Sequence, residues 1–171
     1  MSADKGTGVD GLSHVGKGGE ARMVDVGGKP ATLRRATAEA RLKLPSDLVS
    51  LITATGEADK GNVLETARLA GVMAAKRTPE LIPLCHPLGL DHIDVNAVVE
   101  GDEVIITAEA ACEGKTGVEM EAMTAAAVAA LTVYDMIKSR SKAVRITSVR
   151  LLAKSGGKSG DWRAGKVGGD E

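Results

Sequence analysis

Aromatic residues are almost missing from this chain: Tyr134 and Trp162 stand alone, and there is no phenylalanine. Proteins that bind single-stranded nucleic acid stack bases on aromatic rings, and this sequence has almost nothing from which to build such a platform. Cysteine is nearly as scarce. Cys85 and Cys112 are isolated, with no CxxC spacing, which argues against a structural zinc, an iron–sulfur cluster or a disulfide framework. Reduced thiols in a cytoplasmic compartment are the expectation. No apolar run reaches the ~18–20 residues of a membrane span, and the first residues lack the apolar stretch of a signal peptide. A net charge of -1 supplies no global field for nucleic acid or an anionic membrane. His14, His86 and His92 are too scattered to argue for a metal site, and neither HExxH nor a Ser–His–Asp arrangement is visible.

What remains is the composition of one ordinary globular domain of 171 residues. Residues 1–20 are rich in Gly, Ser and Lys and read as a flexible arm, residues 21–154 as the domain, and residues 155–171 as a mobile Gly/Lys-rich segment. Ala21–Val26 alternates as a strand would, and Gly27-Gly28-Lys29-Pro30 is a turn. Thr32–Leu44 fits helix propensity as well as strand alternation; the alternation of Leu33, Arg35, Thr37, Glu39 and Arg41 favours strand. Ser46 reads as an N-cap. Asn62, with Glu65 three residues on, opens a second helix through Lys76, with Leu64, Ala67, Leu69 or Ala70, and Val72 as its buried face. His92–Val99 and Glu103–Cys112 alternate around Glu100-Gly101-Asp102 as a hairpin, and Lys142–Ala153 forms a last strand whose phase slips near Thr147. The sum is an α+β domain, a mostly antiparallel sheet covered by helices.

One stretch carries unusual chemistry: Gly114–Lys138, an alanine-rich helix with ionisable groups at both ends. Thr116 and Glu119 have capping-box spacing, which leaves Glu121 freer to meet a ligand. Gly-Lys-Thr-Gly at a helix start is a weak phosphate-seat signal. Asp135 and Lys138 are neighbours on one face, as in a plain i,i+3 ion pair. Glu121 and Asp135 share a face, yet fourteen residues put them ~21 Å apart along the axis. If both ends serve a site, two such helices must run antiparallel across a two-fold.

Other candidates each have a plain alternative. Lys60, beside the second helix start, is either a phosphate or proton-transfer group or a solvated turn lysine. His86 sits in Pro-Leu-Cys-His-Pro, between Pro83 and Pro87, whose stiff backbone suits a preorganised contact or an incidental turn. The run from Lys154 to Gly160 resembles a phosphate loop but is not a Walker A motif, because position 152 is Leu.

Taken together, MVDV (23–26), DKGNVLETARLAG (59–71), IPLCHP (82–87), GKTGVEMEA (114–122), LTVYDMIK (131–138) and LLAKSGGKSG (151–160) closely resemble the cyclic pyranopterin monophosphate synthase family. The resemblance implies a ferredoxin-like fold and a homohexamer, a trimer of dimers with interfacial active sites. It implies a lyase of molybdenum cofactor biosynthesis that rearranges cyclised dihydro-GTP, supplied by a radical-SAM partner enzyme, to cyclic pyranopterin monophosphate and pyrophosphate. It further implies catalytic roles for Asp135, Lys138 and Lys60, and substrate contacts from Leu84, Cys85, His86, Met120 and Glu121. Arg34, Lys76 and Arg77 would meet phosphate, and Lys154 and Lys158 fall in a Gly-rich loop. No cofactor is implied, and a divalent ion is compatible but not indicated. Ile137 and the run Ser139–Arg145 depart from the family pattern, the second at the start of the last strand.

Overall fold

The computed structural model describes residues 14–15, 18–55, 57–58 and 61–165. Gly56, Lys60 and most of the predicted arm lie outside the described residues. Alternation decides the ambiguous first segment: β1, Thr32–Lys43, is a strand. Ala36, Ala38, Ala40 and Leu42 point to one face and are buried, while Arg35, Thr37, Glu39 and Arg41 point to the other. After α1 (Ser46–Thr55), the short pair β2 (Glu57–Ala58) and β3 (Gly61–Asn62), α2 (Val63–Ala75) and one turn of helix, α3 (Thr78–Leu81), the chain forms the hairpin β4 (His92–Glu100) and β5 (Glu103–Gly114). Helix α4, Glu119–Ile137, then leads to β6 (Arg145–Ser155) and β7 (Trp162–Arg163). The five-stranded sheet has the order β4-β5-β1-β6-β7, with every neighbouring pair antiparallel. Its first four strands, with α2 and α4 as the crossovers, have the ferredoxin-like β-α-β-β-α-β arrangement.

Both long helices lie on one face of the sheet. The apolar residues that α4 buries against the sheet and α2 are mostly alanine: Ala122, Ala125, Ala126, Ala129 and Ala130, with Val133, Met136 and Ile137. Such small side chains let the helix approach closely, and Gly71 of α2 does the same laterally: a Cβ there would stand 3.0 Å from the Ala125 carbonyl oxygen. By length and composition alone α4 could cross a membrane, but here it packs on the sheet beside α2. The opposite face of the sheet carries charge. The buried Glu39 carboxylate accepts from Arg41 (2.9 and 3.0 Å) and from Arg150 (3.1 Å). The Arg41 hydrogen bonds hold its pKa below the usual value.

Local expectations fared unevenly. Asn62 does cap α2, accepting from the Glu65 amide at 2.9 Å. The buried stripe of that helix is Val63, Ala67, Gly71, Ala74 and Ala75, however, and Leu69 is exposed. The side turned to α4 has room only for small residues, so the larger ones stay outside. Ser46 is the first residue of α1 rather than its cap, because the Leu48 and Val49 amides bond to the Pro45 carbonyl. Ala21–Val26 is not a strand; only Ala21 pairs, in an isolated bridge with Val15. The slip near Thr147 is real: Arg41 faces Ser148 and Leu42 faces Ile146, leaving Thr147 unpaired. Residues 155–165 are described, with Trp162 and Arg163 pairing with Lys154 and Ala153.

Candidate active site at the start of helix α4

The capping box at Thr116 and Glu119 is not made. Val118 occupies the N-cap position without a side-chain hydrogen bond. Glu119 turns away and accepts from Lys154 Nζ at 2.8 Å, across 35 positions of sequence. Gly117 makes room for it, since a Cβ there would fall 1.8 Å from the Glu119 carboxylate. Two residues on, Glu121 is 3% exposed. Desolvation, with a smaller push from the Glu119 charge and against a backbone hydrogen bond, raises its pKa.

Glu121 lines a cavity of about 350 Å³. The proline-bracketed loop contributes Leu84, Cys85, His86 and Leu88, and the start of α4 contributes Glu119 and Met120. Val24, Val26 and Lys29, with His14, enter from the segment before β1. The wall is thus part apolar, part carboxyl and imidazole. Burial first, then the Glu121 charge, pushes the Cys85 thiol up, so it remains a thiol and not a nucleophilic thiolate.

A second cavity of about 950 Å³ adjoins the first and shares Lys29, Thr116, Gly117 and Glu119 with it. Its other charged groups are Arg34, Arg35, Lys115, Lys154 and Lys158. Lys115 is anchored by donating to the Gly27 carbonyl at 2.8 Å. Arg34 donates to the Gly114 carbonyl at 3.3 Å, and its guanidinium lies against the turn Gly156–Gly157. Only glycine fits there. Both residues have positive φ (89° and 75°), and added Cβ atoms would fall 2.0 Å from the Leu33 carbonyl oxygen and 1.5 Å from Arg34 Nη1. Six cationic side chains and one carboxylate around an open cavity make an anion site with the capacity for a polyphosphate.

At the far end of α4, Asp135 and Lys138 form an ion pair at 2.6 Å, each about half exposed. The Asp135 hydrogen bond raises the lysine pKa. The structure therefore gathers Arg34, Leu84, Cys85, His86, Met120, Glu121, Lys154 and Lys158 around the two cavities. It does not bring Asp135, Lys138, Lys76 or Arg77 to them, and Lys60 lies outside the described residues. Glu119, Lys29 and Lys115 join the site without having been counted in it. Their signals were the second glycine of GKTG and the lysines of two glycine turns, but only tertiary contacts make them converge. Among the described residues no cluster of three or more His, Cys, Asp or Glu side chains is arranged to hold a metal ion.

A ferredoxin-like α+β domain whose cation-lined cavity opens beside a partly apolar one defines a protein that handles phosphorylated small molecules. Residues 23–157 match the MoaC family. Over 157 residues the chain is 52% identical to the cyclic pyranopterin monophosphate synthase of Chloroflexus aggregans, covering 91% of this chain and 94% of that relative. Over 153 residues it is 51% identical to the protein of the same name from Novosphingobium aromaticivorans, covering 90% and 97%. The chain belongs to the MoaC family.

Proposed function

We propose that this chain is a cyclic pyranopterin monophosphate synthase, a lyase of molybdenum cofactor biosynthesis that converts cyclised dihydro-GTP to cyclic pyranopterin monophosphate and pyrophosphate. Relatives of this name at about half identity over nearly the full chain support it. The observation that carries it here is the pair of adjoining cavities. The larger, lysine- and arginine-lined one suits a triphosphate, and the smaller, with Leu84, Met120, His86 and Glu121, suits the fused rings. Cations fixed around the departing pyrophosphate stabilise the charge that develops on it. Asp135 and Lys138 move protons during ring opening and closure. They stand at the wrong end of α4 for their own chain, so in this reading a neighbouring copy supplies them, within a hexamer built as a trimer of dimers. Lys60 belongs to the same catalytic set, with Lys76 and Arg77 as outer phosphate contacts. The substrate comes from a radical-SAM enzyme in the cytoplasm, and the reaction draws on no cofactor held by this chain.

The test is incubation of the purified protein with cyclised dihydro-GTP while pyrophosphate is followed. Release at a rate set by enzyme concentration is expected. Well-folded protein that binds the compound and releases nothing would reduce the chain to a polyphosphate-binding module.

A further inference from the structure

The smaller cavity has a wall that the family match does not reach. That match begins at residue 23, yet His14, nine positions earlier, lines the cavity together with His86, Cys85 and Glu121. Its placement is held locally. The Arg22 amide donates to the His14 carbonyl at 2.9 Å, and Val15 bridges Ala21 in antiparallel fashion. The chain then runs along the same wall through Val24 and Val26 to Gly27, whose carbonyl is tied to Lys115 at the start of α4. His14 is thus placed by backbone contacts with Ala21 and Arg22 of its own segment, and the Gly27 end of that segment is tied to the start of α4, while the His14 side chain remains exposed.

The cavity around it is short of aromatic surface. Apart from the two imidazoles its lining is aliphatic, thioether, thiol, carboxyl, hydroxyl and lysine. A flat, nitrogen-rich ring system is held by stacking and by edge hydrogen bonds, and an imidazole provides both. The cationic groups, by contrast, cluster in the adjoining cavity.

We infer that His14 is a binding residue for the heterocyclic end of the substrate, contributed from outside the span that defines the family. The inference rests on the nucleotide reading of the site, but its test does not rest on turnover. Binding of GTP and of inorganic triphosphate to the full-length protein is measured by calorimetry. His14→Ala weakens GTP about tenfold, the size of one lost stacking or hydrogen-bonding contact, and leaves inorganic triphosphate within about twofold. Lys158→Ala weakens both. His14→Gln, which keeps an edge donor, or His14→Phe, which keeps a stacking ring, recovers part of the loss. Unchanged GTP affinity in His14→Ala overturns the inference, as does an equal loss for both ligands, which would make His14 a phosphate contact or a structural prop. Absence of pyrophosphate release by the unaltered protein counts against the synthase alone, since the two binding measurements stand without it.

Discussion

The two ends of α4 are built from similar residues and are not in similar states. At the N-terminal end, Glu121 is buried, Glu119 is engaged by Lys154, and two cavities are walled by four separate segments of the chain. At the C-terminal end, Asp135 and Lys138 make a short but solvent-facing ion pair and line none of the described cavities. One end is a binding site in waiting. The other holds an exposed acid and lysine that stand outside both cavities. The contrast teaches that burial and the exposed acid–lysine pair are separated along a single helix; in the function proposed above, a second helix end would reunite them.

The largest effect should come from breaking the exposed end. Asp135→Asn is expected to lower the rate of pyrophosphate release by about 10²–10⁴, the span of general acid–base contributions. Its melting temperature should stay put, because an exposed pair adds little to stability. Loss of folding in place of loss of rate would make this end structural.

The relation between the ends is sharpened by mixing. A variant damaged at the N-terminal end, Glu121→Ala with Lys158→Ala, and the Asp135→Asn variant should each be nearly inactive. Co-refolded in equal amounts they should regain about a quarter of the normal rate, since half of the pairs are mixed and each mixed pair holds one undamaged site of two. Activity no higher than that of the separate variants would place both ends' chemistry within one chain.

The smallest effect concerns the buried end. Glu121 has a raised pKa, so above its ordinary value of 4.5 the unfolded chain gives up a proton that the folded chain still holds. Stability therefore falls as pH rises from 4.5 through the folded value, and the penalty persists above it. Glu121→Gln should remove that slope and raise the melting temperature at neutral pH by about 2–4 °C, the shift that ~1 kcal/mol produces at this size. Catalysis should fall at the same time. A lowered melting temperature would mean that the carboxyl is a structural partner after all.

The fold was largely legible because it rests on short-range pattern. Alternation gave β1, β4 and β5, the Glu100-Gly101-Asp102 turn gave the hairpin, and Asn62 with Glu65 gave the start of α2. Failures occurred where a distant group competed. Glu119 has the right spacing to cap its own helix, but Lys154 takes it, and no local rule anticipates that choice. Val24 and Val26 alternate like strand residues because they line a cavity, which imposes the same one-sidedness without a ladder. The ionisable ends of α4 could be read from spacing, whereas the cavities, made by four segments far apart in sequence, could not.

The alanines under α4 have a mechanical consequence. A core of leucine or methionine absorbs a small displacement by changing rotamers; alanine has none to change. Packed against the sheet and against Gly71, this helix is expected to move as a stiff rod rather than by local rearrangement. An axial shift imposed by a ligand on Glu121 would then reappear at Asp135, some four turns away. In the assembly proposed above, where that far end would complete another subunit's site, the rod would act as a push-pull linkage, and filling one site would be felt as motion in the next.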